Sequence, residues 1–100
     1  LAFSVMLAAG LAGIDNGYEL PEPMEKNLYE LSESERRALG IESLPASLGE
    51  ALAETEKSEL VRKALGDHVF ERFIELKSME WHEFCTRVTE WEVNKYLPIL

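Results

Sequence analysis

Cysteine occurs once in the 100 residues, and ten basic residues face nineteen acids. A single thiol cannot form a disulfide within the chain, so Cys85 favours a reducing compartment, and we expect a cytoplasmic protein. The net charge of −9 and the scatter of the Lys and Arg residues argue against nucleic acid and anionic membranes as partners, because phosphate groups are bound by basic clusters. We interpret the acidic excess as solvated surface.

No apolar run is long enough to span a bilayer. The opening stretch LAFSVMLAAGLAGI covers residues 1–14, whereas a spanning helix needs about 20 residues. It has no basic flank and no acceptable cleavage site, so we do not expect a signal peptide. One helical face would carry Leu1, Val5, Ala8 and Ala12. The other faces are apolar as well, which predicts a helix surrounded by protein and ending near Gly13.

The residue types that usually carry chemistry are few and widely spaced. His68 and His82 lie fourteen residues apart, and Glu75 is too far from His82 for the i, i+3 or i, i+4 spacing of paired metal ligands. Cys85 follows Phe84 within an apolar-patterned helix, far from a helix start that would activate a thiolate. There is no glycine-rich phosphate loop and no Ser–His–Asp order. We therefore assign no catalytic, cofactor-binding or metal-binding residue to this segment.

Three short helices are predicted by one repeated device, the capping box, in which a hydroxyl and an acid three residues later satisfy the first free amides. The pairs are Ser32 with Glu35, Ser47 with Glu50, and Thr89 with Glu92. Gly40 is expected to end the first of these helices. Asp67 is the expected N-cap of a longer helix.

The longer helix and the residues after it are rich in apolar side chains. At approximate helical spacing, or on an adjoining edge, they are Val69, Phe70, Phe73, Leu76, Trp81, Phe84 and Val88. This stripe is typical of core packing. The terminal stretch WEVNKYLPIL is unusually apolar for a chain end, which normally frays. We predict inter-subunit docking by Trp91, Val93, Tyr96, Leu97, Ile99 and Leu100.

These signals divide the chain into five parts with no convincing strand, so the segment is predicted to be mainly α. They are a buried helix at 1–14, a loop at 15–31, short capped helices at 32–66, a long helix at 67–88 and a C-terminal docking helix at 89–100. One hundred residues correspond to about one domain.

Four motifs, in order and with this spacing, resemble the C-terminal end of a bacterial or archaeal type I glutamine synthetase. They are AAGL.GI, PEP...NLYEL, LP.SL.EAL and VTEWE...YLP, and the resemblance extends over essentially the whole chain. The resemblance implies the helical C-terminal part of an α+β catalytic domain whose sheet lies upstream. It implies that the first helix packs behind that sheet.

The resemblance also implies an activity and an assembly. The family joins ammonia to glutamate through γ-glutamyl phosphate, using ATP and Mg or Mn, with all of these held by residues upstream of this segment. Its subunits form a homo-oligomer, a dodecamer of two stacked hexameric rings, and the C-terminal segment reaches the opposite ring. The segment would then supply scaffold and inter-subunit contacts and would be inactive alone.

One residue matches a family regulatory motif, and three depart from family patterns. Tyr29, in KNLYEL, matches the tyrosine that is adenylylated in some bacterial members. The alternative is a structural role, in which the ring anchors a loop. Ala12 stands where Asp is usual, Gly17 where a basic residue is common, and Ala46 where Gly is common. The change at Ala12 leaves room for a synthetase-like γ-glutamyl ligase that uses another amine. A third hypothesis is a freestanding acidic helical interaction module.

Overall fold

The computed structural model describes residues 1–100 as six α-helices and two 3₁₀ turns, without a strand. The helices are α1 (Ala2–Asn16), α2 (Glu33–Ala38), α3 (Leu48–Glu56), α4 (Glu59–Leu65), α5 (Asp67–Thr86) and α6 (Glu90–Tyr96). The 3₁₀ turns are Leu28–Glu30 and Leu97–Ile99. The prediction of a mainly α segment is confirmed. None of the helices combines the length and apolarity needed to cross a membrane.

Two of the three predicted capping boxes are complete. At α2 the Glu35 amide donates to the Ser32 hydroxyl, and the Ser32 amide donates to the Glu35 carboxylate at 2.7 Å. At α6 the Glu92 amide donates to the Thr89 hydroxyl, and the Thr89 amide donates to the Glu92 carboxylate at 2.7 Å. Each pair satisfies two amides that no helical carbonyl can reach, so both helix starts agree with the sequence prediction.

The third box, at α3, is shifted by one residue. Ser47 accepts from the Glu50 amide as predicted, but the Glu50 carboxylate accepts from the amide of Ala46 at 2.8 Å instead of from Ser47. Within the region predicted as short capped helices, α4 has a cap of its own: Ser58 accepts from the Val61 amide. No acid stands at the third position of α4, so a search for capping boxes passes over this start.

Helix α1 continues past the glycine expected to end it. It runs to Asn16, and Gly17 forms the left-handed cap with φ of 61° and ψ of 40°. The free carbonyls of Gly13 and Ile14 accept from the backbone amides of Tyr18 and Gly17, and the Asn16 side-chain amide donates to the Ala12 carbonyl at 2.8 Å. Gly13 is therefore an interior residue, and the left-handed geometry that favours glycine falls at Gly17 instead.

The start of α5 corrects the predicted cap. Gly66 is the N-cap and Asp67 is the first helical residue, with no side-chain cap hydrogen bond. The Asp67 carboxylate instead accepts from the Arg62 guanidinium at 3.0 Å. This hydrogen bond connects the start of α5 to α4. At its other end α5 stops at Thr86, so Val88 lies in the short linker before α6.

Helix α5 is the element on which the segment packs. Helices α3 and α4 both contact α5, and α1 packs on α4. The half-buried positions of α1 include Val5, Ala8 and Ala12, three members of the face predicted from the sequence. Leu52 of α3 and Phe70 of α5 are the only buried residues.

The predicted core stripe of α5 is correct at some positions and wrong at others. Phe70 is buried, and Phe73 and Trp81 are half-buried. The remaining predicted members, Val69, Leu76, Phe84 and Val88, are exposed. The inward face instead includes Ile74 and the half-buried stem of Lys77, because positions 70, 73, 74, 77 and 81 follow the i, i+3, i+4, i+7 pattern of one helical face.

The segment does not enclose a core of its own. Its radius of gyration is 18.7 Å, against about 13 Å for a compact domain of this length. Its accessible surface is 8962 Å², whereas a compact monomer of 11.4 kDa exposes roughly 5,800 Å². The excess, on the order of 3,000 Å², is surface that a compact fold would cover.

Candidate functional site

The candidate site is the apolar C-terminal segment, residues 91–100. It lies on α6 and the residues after it, and the three-residue linker 87–89 joins α6 to α5. In the linker Arg87 is extended, with φ of −84° and ψ of 134°, and Thr89 caps α6 in an extended conformation as well. Helix α6 makes its extensive contacts with the 3₁₀ turn Leu97–Ile99. We call residues 91–100 the hook. The short linker 87–89 connects it to α5.

Two aromatic rings and one cation form the centre of the hook. The rings of Trp91 and Tyr96 meet edge to face, with centroids 6.1 Å apart. The Lys95 ammonium lies 4.4 Å from the Trp91 ring centroid and 5.6 Å from that of Tyr96. A cation over aromatic faces is attracted by their quadrupoles, so Lys95 stabilises this arrangement of the rings weakly and places a positive charge beside them.

The capping box at the start of the hook also sets the ionisation of Glu92. Hydrogen bonds from the Thr89 amide and then from the Thr89 hydroxyl lower the pKa of Glu92 below the ordinary glutamate value. Both bonds favour the charged carboxylate. The cap that orients α6 therefore persists at neutral pH and weakens only in acid.

All six predicted docking residues are exposed in this chain. The structure brings Trp91 and Tyr96 together, but the set makes no apolar core within the segment. The exposed members are Trp91, Val93, Tyr96, Leu97, Ile99 and Leu100. Exposed apolar clusters of this kind are typical of interaction surfaces, but docking itself stays a prediction.

Helix α1 carries a second exposed apolar surface. One face packs on α4, and the others have no cover within these residues. The exposed large side chains of α1 are Phe3, Met6, Leu7, Leu11 and Ile14. These 100 residues therefore do not supply the surrounding protein that the sequence predicts for α1.

Tyr29 lies apart from the hook, on the 3₁₀ turn Leu28–Glu30. The Asn27 side chain caps this turn by accepting from the Tyr29 amide at 3.2 Å. The Tyr29 side chain is 99% exposed, so it does not anchor the loop. Modification of Tyr29 stays a prediction.

The residues considered for chemistry do not converge. His68, His82 and Cys85 are all exposed, and no three side chains among the His, Cys, Asp and Glu residues are grouped to hold a metal ion. The carboxylates of α5 pair with neighbouring cations instead: Glu71 lies 3.7 Å from Arg62, and Glu75 pairs with Arg72. The donor set of this segment therefore does not fit a Mg or Mn site.

Sequence reasoning missed two contacts that hold the helices around α5. The Arg62 guanidinium stacks 4.4 Å from the Phe70 ring centroid while it also binds Asp67. Separately, the Trp81 indole lies against the backbone of Gly49, where a methyl group would fall 2.5 Å from Nε1. The sequence holds one signal for the contact between Trp81 and Gly49, because a glycine inside a short helix often has a packing reason.

The features assembled so far are those of a helical segment whose apolar faces have no cover within these residues. Comparison with protein families gives the class: the family described as glutamine synthetase, catalytic domain, matches residues 1–96. The chain belongs to the glutamine synthetase family.

Individual relatives agree along nearly the full segment. Glutamine synthetase of Methanocaldococcus jannaschii is 53% identical over 97 residues, which are 97% of this chain and 21% of that protein. The protein of Methanococcus maripaludis is 52% identical over 99 residues, or 99% of this chain and 22% of its own length. That of Thermotoga maritima is 50% identical over 97 residues, with 97% and 22% covered. The chain thus spans about a fifth of these relatives.

Proposed function

We propose that this chain is the C-terminal part of a cytoplasmic glutamine synthetase that ligates ammonia to glutamate at the expense of ATP. In that reaction a side-chain carboxylate oxygen of glutamate attacks the terminal phosphorus of ATP and ADP leaves. Ammonia then attacks the acyl carbon, phosphate leaves and a proton is released. The observation that carries the proposal is family membership together with identities near 50% along the whole segment.

Within that enzyme, the segment's own role is scaffold and subunit contact. ATP and Mg or Mn would be bound by residues outside the segment, because its exposed and ion-paired carboxylates do not fit such a site. The apolar faces of α1 and the hook support the scaffold role, since a chain with two buried residues depends on neighbours for its core. We propose that the hook contacts other subunits of a homo-oligomer, a dodecamer of two hexameric rings.

The test is substitution of the chemistry-type residues in the full-length enzyme. His68→Asn, His82→Asn and Cys85→Ala should each leave kcat for glutamine formation within about twofold. A general acid or base would instead contribute roughly 10²–10⁴-fold. A loss of that size in any of the three variants, with the assembly intact, would place catalysis inside the segment and contradict the proposal.

The second candidate is a related γ-glutamyl ligase with a different amine acceptor, favoured by the departure at Ala12. This residue is half-buried on the α4-facing side of α1, where an Asp side chain would have to find a partner. Phosphate release by the full-length enzyme with glutamate and ATP, measured with ammonia and then with polyamines, separates the two. Turnover with polyamines but not ammonia would favour the second candidate.

Tyr29 is proposed as a site of adenylylation. Its phenolic oxygen would attack the α-phosphorus of ATP, forming a phosphodiester to AMP, with release of diphosphate and the phenolic proton. Full exposure of the ring on a capped 3₁₀ turn supports the proposal. Protein from nitrogen-replete native cells should yield a Tyr29 peptide heavier by one AMP group. A peptide that stays unmodified under those conditions contradicts it.

A further inference from the structure

Arg36, in the last turn of α2, is the one arginine of the chain that has no ion pair. Each of the other arginines pairs with a carboxylate. The Arg36 side chain is half-buried, and its Nε atom is enclosed by the chain without a hydrogen-bond acceptor. Buried guanidinium donors normally have a partner, because an unmet donor has lost its hydrogen bonds to water. The position of Arg36 therefore indicates a contact that is not made in this arrangement of the side chains.

Arg36 lines a cavity of about 680 Å³ that lies between α2, the loop 41–46 and α3. Three glutamates from outside α2 share the lining, namely Glu42, Glu50 and Glu54. Because the chain already encloses the Nε atom, a group from outside the segment reaches that atom only by displacing its cover. The carboxylates of the cavity are therefore the available acceptors.

Of the three carboxylates, Glu54 is the one that can connect α2 to α3. Glu50 accepts from a backbone amide at 2.8 Å at the start of α3 and is held there. Glu42 follows α2 in the adjoining loop, so a pair with Glu42 would not join two helices. Glu54 pairs with Lys57 at 2.9 Å, but these two side chains are 66% and 70% exposed. Exposed pairs contribute little to stability, so Glu54 can exchange Lys57 for another cation.

We propose that Glu54 exchanges Lys57 for Arg36, and that the resulting ion pair closes residues 27–39, called here the α2 arm, onto α3. The pair is open in this structure, where Glu54 binds Lys57. Helix α2 has six residues and makes no extensive contact with another helix, so its own hydrogen bonds do not hold it in place. Tyr29 lies on the same arm, so closure also fixes where this side chain is presented. The inference holds whether or not Tyr29 is modified.

Hydrogen–deuterium exchange of the full-length protein tests the pair through peptides that cover the α2 arm. Arg36→Met and Glu54→Gln should each raise the exchange rate of the arm amides about tenfold, because each removes one partner of a charge-assisted hydrogen bond. The double variant should exchange no faster than either single variant, since both remove the same contact. Arg37→Met is the matched control: it breaks an exposed pair with Glu33 inside α2 and should leave the rate within about twofold.

Charge reversal distinguishes a direct pair from a general loss of packing. Arg36→Glu and Glu54→Arg should each speed exchange of the α2 arm, and the two together should restore the slow rate. Unchanged exchange in Arg36→Met would overturn the inference. Faster exchange in Arg36→Met without any in Glu54→Gln would overturn it as well, because the guanidinium would then have no acceptor on α3. If Glu42→Gln alone reproduces Arg36→Met, the acceptor lies in the loop and the arm is not tied to α3.

Discussion

Trp81 lies so close to Gly49 that a methyl group on residue 49 would stand 2.5 Å from the indole Nε1 and 2.6 Å from Cε2. This contact sets the distance between α3 and α5. Trp81 also lines a groove between α3 and α5 together with Phe84, whose ring is 62% exposed.

Gly49→Ala should destabilise the full-length protein by about 1–3 kcal/mol, because an extra methyl group in a close contact forces the ring or the helix to move. Urea unfolding provides the measurement. The matched test is a double-mutant cycle with Trp81→Phe, whose smaller ring makes room for the methyl group. The alanine should cost less in the Phe background; equal costs in both backgrounds would show that the two residues do not interact.

Replacement of Arg62 should loosen α4 from α5. Its guanidinium contacts the Phe70 ring, Asp67 and Glu71, and the hydrogen bond that it donates to the Asp67 carboxylate raises the pKa of Arg62. Arg62→Met should lower the Tm of the full-length protein measurably. Arg72→Met removes a solvent-exposed pair with Glu75 and should change the Tm little. Equal effects of the two variants would contradict the bracing role of Arg62.

Thr89→Ala should raise the pKa of Glu92 towards the ordinary glutamate value, because it removes the hydroxyl that hydrogen-bonds the carboxylate. The folded pKa is lowered, so the capping contribution is fully present above the unfolded pKa and is lost as pH falls through the folded one. Proton titration of the Glu92 side chain by NMR measures the shift. Thr86→Ala is the control, since its hydroxyl donates to the Glu83 carbonyl and not to a carboxylate; an unchanged Glu92 titration in Thr89→Ala would contradict the cap.

Local signals predicted helix starts well, because a cap depends on neighbours within the same four residues. Ser32 and Thr89 illustrate this: hydroxyl and acid are both in the sequence, and both bonds form. The sequence was less informative at Asp67, where Arg62 from the previous helix takes the carboxylate that would have capped α5. A capping motif considers only the nearest amides, so it does not predict that a side chain from another helix will bind the same carboxylate.

The inward face of α5 was harder to predict for a different reason. Apolar residues occur on several sides of this helix, so periodicity alone did not distinguish the face around Phe70 from the exposed positions of Leu76 and Phe84. Within 100 residues the helix has cover on one side. A helix that also packs on further protein has apolar residues on each of the faces that it buries. A single apolar stripe therefore describes the buried face of α5 poorly.

The central claim is that the apolar surfaces of α1 and the hook are covered in the assembled enzyme while Tyr29 stays open. Hydroxyl-radical footprinting of the full-length oligomer measures this directly, by oxidation of Phe3, Trp91 and Tyr29. Within the 100-residue segment all three side chains are exposed, Phe3 by 88% and Tyr29 by 99%. The account predicts protection of Phe3 and Trp91 with continued oxidation of Tyr29. Oxidation of Phe3 and Trp91 to the full extent expected for exposed rings would contradict it.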